Sequence, residues 1–216
     1  MTFSVCVRRS VEEGTAFGAA VATDAPAVGA LAPYTTEDGV ICTQSFVNVH
    51  LGRRGVELLA DMAVGDAVDG LLGQDDDADL RQVHGIDRRG NATTYSGEGC
   101  EEWFGHTTSR DGDATAAGNM LANGETLDAA LRGLDEPAED LVDSLLIALE
   151  RGVETGGDKR GHTSAAIDVW APQTTAYHDL RVDAHDTPVR ELRRVYEAAK
   201  AASDEFTEEK RSRRFD

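Results

Sequence analysis

Strand and helix periodicities come in blocks along this chain rather than in alternation, and that order limits the folds open to it. In the opening TFSVCV, Phe3, Val5 and Val7 alternate with Thr2, Ser4 and Cys6, the period of a strand with two unlike faces. VEEG reads as a turn, and TAFGAAVATD as a second strand whose glycine and alanine content implies close approach of other backbone or of a ligand. TEDGVICTQSF is a third strand after a glycine turn. The spacing then becomes helical: in RRGVELLADMAVGDAVDGLL, Val56, Leu59, Ala63, Ala67 and Leu71 form one stripe, widened by Val68 and Leu72. The acidic run QDDDAD reads as a solvated loop rather than a cation site, and LRQVHGIDRRGNATTYSGEG as a hairpin turning at Arg89-Gly90-Asn91. Asn123 can cap a short helix carrying Leu127, Ala130, Leu131 and Leu134, and Asp135-Glu136-Pro137 starts a stronger one with Leu141, Leu145 and Leu149 on one face. HTSAAIDVWAP and TAYHDLRVD read as two strands. Thr187-Pro188 then opens a last helix, with Val189, Leu192, Tyr196 and Ala199 on its apolar face. Such an order predicts an α+β fold of mostly antiparallel sheets with segregated helices, not a doubly wound sheet.

At 216 residues the chain is expected to form one domain over residues 1–200, followed by a charged tail, 201–216, ending in TEEKRSRRFD. No repeat and no Pro-rich linker interrupts it. Asp and Glu number 40 against 21 Lys and Arg, a net charge of −19, and Lys159, Lys200 and Lys210 are the lysines. Self-repulsion of that size weakens a compact state in dilute buffer. At molar salt the Debye length shrinks to about 3 Å and screens it. An acidic, lysine-poor surface around an ordinary core therefore points to a high-salt cytoplasm, the alternative being an acidic protein of ordinary salt. It also excludes nucleic acid and anionic membrane as partners. No apolar run is long enough to span a bilayer, and the N-terminus lacks the basic-then-apolar pattern of a signal peptide, so a cytoplasmic protein is expected. Cys6, Cys42 and Cys100 are an odd number without CxxC spacing, expected as reduced thiols used as small hydrophobes rather than as a disulfide or zinc site.

Four stretches carry more polar and glycine residues than packing requires. In CTQSFVNVHLGRRG, Thr43, Gln44 and Asn48 stand between a strand end and a helix, where amides either orient a substrate or cap the helix. In AAGNML, Asn119 follows a glycine, in a turn where an amide is an oxyanion donor or simply a good turn residue. TGGDKRGHTSAA is a ligand-facing loop in which Arg160 can grip a carboxylate, and Asp158 an amine or Arg160 itself; a structural turn with an ion pair is the alternative. Its spacing is not that of a phosphate loop. In YHDLRVDAHDTP, Asp179, Arg181 and Asp183 share a strand face as a self-neutralising row. His178, Asp183, His185 and Asp186 are a rival divalent-metal set, although no motif such as HExxH supports it. His84 and His106 read as ordinary core or surface histidines, and no GxSxG elbow is present.

Taken in order, TFSV, TQSFVNVHLGRRGVELL, RQVHGID, GEGCEEWFGH, GNML, GGDKRGHTSAA and DLRVDAHDTPVREL resemble the DUF1028 proteins, a group assigned to the N-terminal nucleophile (Ntn) hydrolase fold. The resemblance covers the chain to about residue 195. It departs from the usual pattern in GHTSAA, where a glutamine more often precedes the serine, so no role is carried to His162 or Thr163. The resemblance implies a four-layer αββα sandwich and places Thr2, exposed by removal of Met1, at the position of the nucleophile. It further implies an amidohydrolase acting on a small amide without metal or cofactor, with backbone N–H groups or an amide such as Asn119 or Gln44 as oxyanion donors and Asn48, Asp158, Arg160 and Ser164 around the substrate. A non-catalytic Ntn-like binding or structural module is the competing expectation, and either could form homo-oligomers.

Overall fold

The computed structural model describes residues 2–205, and in it ten strands form two antiparallel sheets. In chain order the strands are β1 (Thr2–Val11), β2 (Gly14–Thr23), β3 (Pro33–Thr36), β4 (Gly39–Ser45) and β5 (Arg81–Asp87). The others are β6 (Ala92–Ser96), β7 (Gly105–Thr108), β8 (Ala114–Asn119), β9 (Ser164–Trp170) and β10 (Asp179–Val182). One sheet has the order β10-β9-β2-β1-β8-β7 and the other β3-β4-β5-β6. Long-range pairing thus puts β1, the first strand, at the middle of its sheet between β2 and β8.

Five α-helices cover the outer faces: α1 (Val49–Leu58), α2 (Val64–Leu72), α3 (Glu125–Leu134), α4 (Leu141–Glu154) and α5 (Pro188–Asp204). Phe3, Val5 and Val7 of β1 pack with Leu127 of α3, Leu145 and Leu149 of α4 and Leu192 of α5. Leu51, Val56 and Val68 of α1 and α2 pack with Ile41 and Val83 of the smaller sheet. Between the sheets lie Cys6, Phe17 and Ala19 from one side and Val40, Cys42 and Ile86 from the other. The alternation of TFSVCV therefore sorts the two faces: odd positions meet helices, and Ser4 and Cys6 meet the second sheet. Each large apolar side chain so buried contributes about 1.5–3 kcal/mol. The small residues of β2 have a matching reason, since a Cβ on Gly18 would lie 2.7 Å from Leu145 Cδ1; the close neighbour is a helix.

Several elements differ from expectation. The single apolar stripe from residue 53 to 72 is two helices. The first begins early, capped by Asn48, and the second starts where Val64 N–H donates to Asp87 Oδ2 at 3.1 Å. Asp87, at the end of β5, also accepts from the amides of Arg89 and Asn91, so one carboxylate holds both the expected hairpin turn and a helix start. Helix α4 begins at Leu141, capped by Asp140, rather than at Asp135-Glu136-Pro137. Strands β3, β7 and β8 have no counterpart in the sequence expectation, and Asn119 ends a strand instead of occupying a turn; Met120 after it has φ 55°. The acidic run is only partly solvated, because Asp75 forms a buried ion pair with Arg81. Helix α5 runs to Asp204, into the expected tail of 201–216, and residues 206–216 of that tail lie outside the described residues. No helix among the described residues is long and apolar enough to cross a membrane.

Candidate functional site around Thr2

Thr2 is the first residue of β1, in register with Thr23 on one side and Asn119 on the other. Its hydroxyl lies 3.0 Å from that of Thr23. Because it belongs to the Ser4–Cys6 face, Thr2 points toward the layer between the sheets, and it is 8% exposed.

That layer holds a continuous polar chain. Ser4 Oγ donates to Gln44 Oε1 at 2.6 Å, which uses its only hydrogen. The 2.7 Å contact between Ser4 Oγ and His84 Nε2 is then a donation by the imidazole, and His84 Nδ1 lies 2.8 Å from Thr115 Oγ1. Gln82 Oε1 accepts from Gln44 Nε2 at 2.7 Å and from Asn119 Nδ2 at 3.2 Å. Gln82 Nε2 reaches Ser96 Oγ and the carbonyls of Gly105 and Gly118 at 2.8–3.1 Å. Ser96 in turn contacts exposed His106 at 2.9 Å. Every one of these buried groups has a partner, as a low-dielectric layer demands; stripping one partner typically costs about 1–3 kcal/mol.

The glycine-rich loop closes the other side. Asp158, with a fully buried side chain, accepts from the backbone amides of Asp24 and Arg160 at 3.2 and 2.8 Å. The Arg160 guanidinium, half exposed, lies 3.2 Å from Asp24 and 3.5 Å from Asp158. His162 Nε2 accepts from the Asp158 amide, its ring stands edge-on to Phe3 at 5.9 Å, and burial pushes its pKa down, consistent with a neutral ring. Ser164, in register with Thr23, donates to Ala25 O at 2.6 Å and accepts from Val28 N–H. A cavity of about 480 Å³ opens here, lined by Asp24, Arg160, His162, Thr163, His185 and Asp186. A second of about 490 Å³, between α4, α5 and this loop, shares His162 and Asp186 with it. Thr2 lines neither.

Comparison with known proteins places this geometry. The family model of DUF1028, described as a family of unknown function, matches residues 2–192. The chain belongs to DUF1028. A solved structure resembles it over nearly its full length: protein SPO2555 from Silicibacter pomeroyi, also described as DUF1028, with a TM-score of 0.81 and 26% identity, covering 92% of this chain and 89% of that one. No curated protein matches significantly.

Of the residues singled out from sequence, this DUF1028 fold brings Thr2, Asn119 and Gln44 onto the inter-sheet layer, with Gln44 reaching Asn119 through Gln82. Asp158 and Arg160 meet each other and Asp24, one residue beyond Thr23. Ser164 holds the loop after β2. Asn48 stands apart: its carbonyl oxygen caps α1 at the His50 amide, and its nitrogen donates to Asp75 at 2.8 Å. The rival metal set does not converge. Asp183 pairs with Arg181, His185 Nδ1 accepts from the Thr187 amide, and His178 packs on Tyr177. Gln82, His84 and Ser4 were missed as members of the site. Their signal was present, since RQVHGID alternates Gln82 and His84 with Val83 on a strand that carries Ile86 into the core.

Proposed function

We propose that this DUF1028 chain is an N-terminal nucleophile amidohydrolase in which Thr2, freed by removal of Met1, cleaves a small amide. The observation that carries the reading is the position of Thr2: first residue of the central strand, facing the inter-sheet layer, between Thr23 and Asn119. Helices on the outer face of each of two stacked antiparallel sheets agree with the four-layer αββα sandwich of that fold. In this reaction the Thr2 α-amine, with a reference pKa near 7.7–8.0, takes the hydroxyl proton as Oγ1 attacks the carbonyl. The proton passes to the leaving nitrogen as the C–N bond breaks, leaving an ester on Thr2. Water, deprotonated by the same amine, then releases the acid and regenerates the hydroxyl. Asn119 Nδ2 has one N–H on Gln82, and in this reaction its second would meet the developing oxyanion. Arg160, held by Asp24 and Asp158 beside the cavity, is the group for a substrate carboxylate. The acidic composition fits a soluble enzyme of a salt-rich cytoplasm, with no nucleic-acid or membrane partner.

A non-catalytic module is the second reading, and one observation favours it: Thr2 is 8% exposed and lines neither described cavity. An amide-library screen in high salt separates the two. Wild-type protein lacking Met1 turns over a substrate and Thr2→Ala, equally folded, does not; equal activity in both refutes the nucleophile assignment.

A further inference from the structure

Where the two sheets meet lies a group of side chains that the proposed reaction does not use. Cys6 of β1, Cys42 of β4 and His84 of β5 are fully buried, and one ligand atom from each lies within 4.8 Å of the others. Cys42 and His84 are cross-strand partners in the smaller sheet, and Cys6 faces them from the larger one. Neither cysteine is in a disulfide. Cys6 Sγ has a weak 3.8 Å contact to His84 O. Among the described residues no other three His, Cys, Asp or Glu side chains converge in this way.

We infer that Cys6, Cys42 and His84 form a structural site for one Zn²⁺ ion that clamps the two sheets together. Two sulfurs and an imidazole nitrogen are the ligands a borderline-soft cation takes; Mg²⁺ and Ca²⁺ favour carboxylate-rich oxygen sets, and no carboxylate belongs to this group. Charge decides within the soft ions. Two thiolates neutralise a dication, so the loaded site adds no net charge to a dry layer, whereas Cu⁺ would leave it negative. Binding is balanced by release of both thiol protons to solvent: Zn²⁺ plus two thiols gives the dithiolate complex and two H⁺. Ordinary Zn–S and Zn–N lengths put the ligand atoms about 3.5–3.8 Å apart, so the group has to contract by only roughly 1 Å. Whichever ring nitrogen of His84 binds, the other keeps a hydroxyl partner, Thr115 on Nδ1 or Ser4 on Nε2, the outer contact that fixes a metal-bound imidazole. With Nε2 on the metal and Thr115 on Nδ1, Ser4 Oγ is the polar group at hand for the fourth position.

The test uses full-length protein, purified reduced and stripped by chelator, then titrated with Co²⁺. The inference expects a thiolate-to-cobalt charge-transfer band that saturates at one equivalent and is displaced by Zn²⁺. Cys100→Ser and Thr2→Ala keep the band, because Cys100 is buried elsewhere, against the Arg81 carbonyl, and Thr2 is not a ligand. Cys6→Ser and Cys42→Ser each weaken it, and the double variant loses it. No band in the wild type, or a band surviving in the double variant, overturns the site. Should the cysteine variants fail to fold, X-ray absorption at the zinc edge of wild-type protein decides: two sulfurs and one nitrogen support the site, and an all-nitrogen-and-oxygen shell overturns it. A mass lighter by two hydrogens with a Cys6–Cys42 cross-linked peptide, found in protein purified without reductant or chelator, would make the pair a disulfide and also overturn it.

Discussion

Gln82, carried by the smaller sheet, holds Asn119, carried by the larger one: its Oε1 accepts the Asn119 amide at 3.2 Å while also accepting Gln44 at 2.7 Å. The proposed reaction uses Asn119 as an oxyanion donor, which is effective only when it is already aimed, so this pair makes a kinetic prediction. Asn119→Ala lowers kcat about 100- to 1,000-fold on the substrate that the amide screen identifies. Gln82→Met, which removes the support but not the donor, lowers kcat roughly 10-fold with KM little changed. Steady-state kinetics on both variants check this; wild-type kcat in Gln82→Met would mean that Asn119 is not held for catalysis.

The buried ion pair of Asp75 and Arg81 predicts a large stability effect. Arg81 donates from Nε and Nη2 to the two carboxylate oxygens at 2.9 and 3.0 Å, and from Nη1 to Phe46 O at 2.6 Å. Removing Asp75 leaves Arg81 with only the 3.4 Å contact to Asp77 and the Phe46 carbonyl, so Asp75→Ala destabilises by about 1–3 kcal/mol in denaturant titration. The arginine holds the Asp75 carboxyl far below the usual carboxylate range. The pair's contribution is therefore fully present above pH ~4 and fades only as pH falls below it. A loss under about 1 kcal/mol would mean that the pair is solvated.

Asp168 predicts the opposite pH behaviour. Burial raises its carboxyl to about 6, with a bond from Thr35 Oγ1 at 2.9 Å only partly offsetting that. A raised folded pKa favours the protonated form, so this residue's favourable contribution is present below pH ~4 and lost as pH rises through about 6. Asp168→Asn keeps the acceptor for Thr35 without the charge. It should gain roughly 1 kcal/mol at pH 7, less than the ~3 kcal/mol of a fully buried group, and nothing at pH 4. Equal stability of the two proteins at both pH values would place Asp168 in contact with water.

The net charge of −19 predicts salt dependence. Thermal midpoints should rise from dilute buffer to molar salt as the acidic surface is screened. A circular dichroism melting curve indifferent to salt would reject the high-salt reading.

Much of the fold was legible because local patterns and burial agree. The alternation of Phe3, Val5 and Val7 with Thr2, Ser4 and Cys6 marked two faces, and both are used. Thr187-Pro188 marked the start of α5. Strand β8 was not legible: ATAAGN has one β-branched residue, and with both faces buried it shows no alternation. The break between α1 and α2 was hidden for a different reason, since it is set by Asp87, more than 20 residues away in sequence. The inter-sheet polar chain escaped because its members are spread over β1, β4, β5 and β8, and only their pairing makes Gln82 and His84 more than lone polar residues.

The central claim, a nucleophilic Thr2, is tested most directly by treating wild-type protein with an amide-directed acylating electrophile and mapping the adduct by peptide mass spectrometry. The account predicts one adduct, on the hydroxyl of an N-terminal Thr2 from which Met1 has gone, and none on Thr2→Ala. Met1 retained on active, labelled protein, or an adduct confined to another residue, would contradict it.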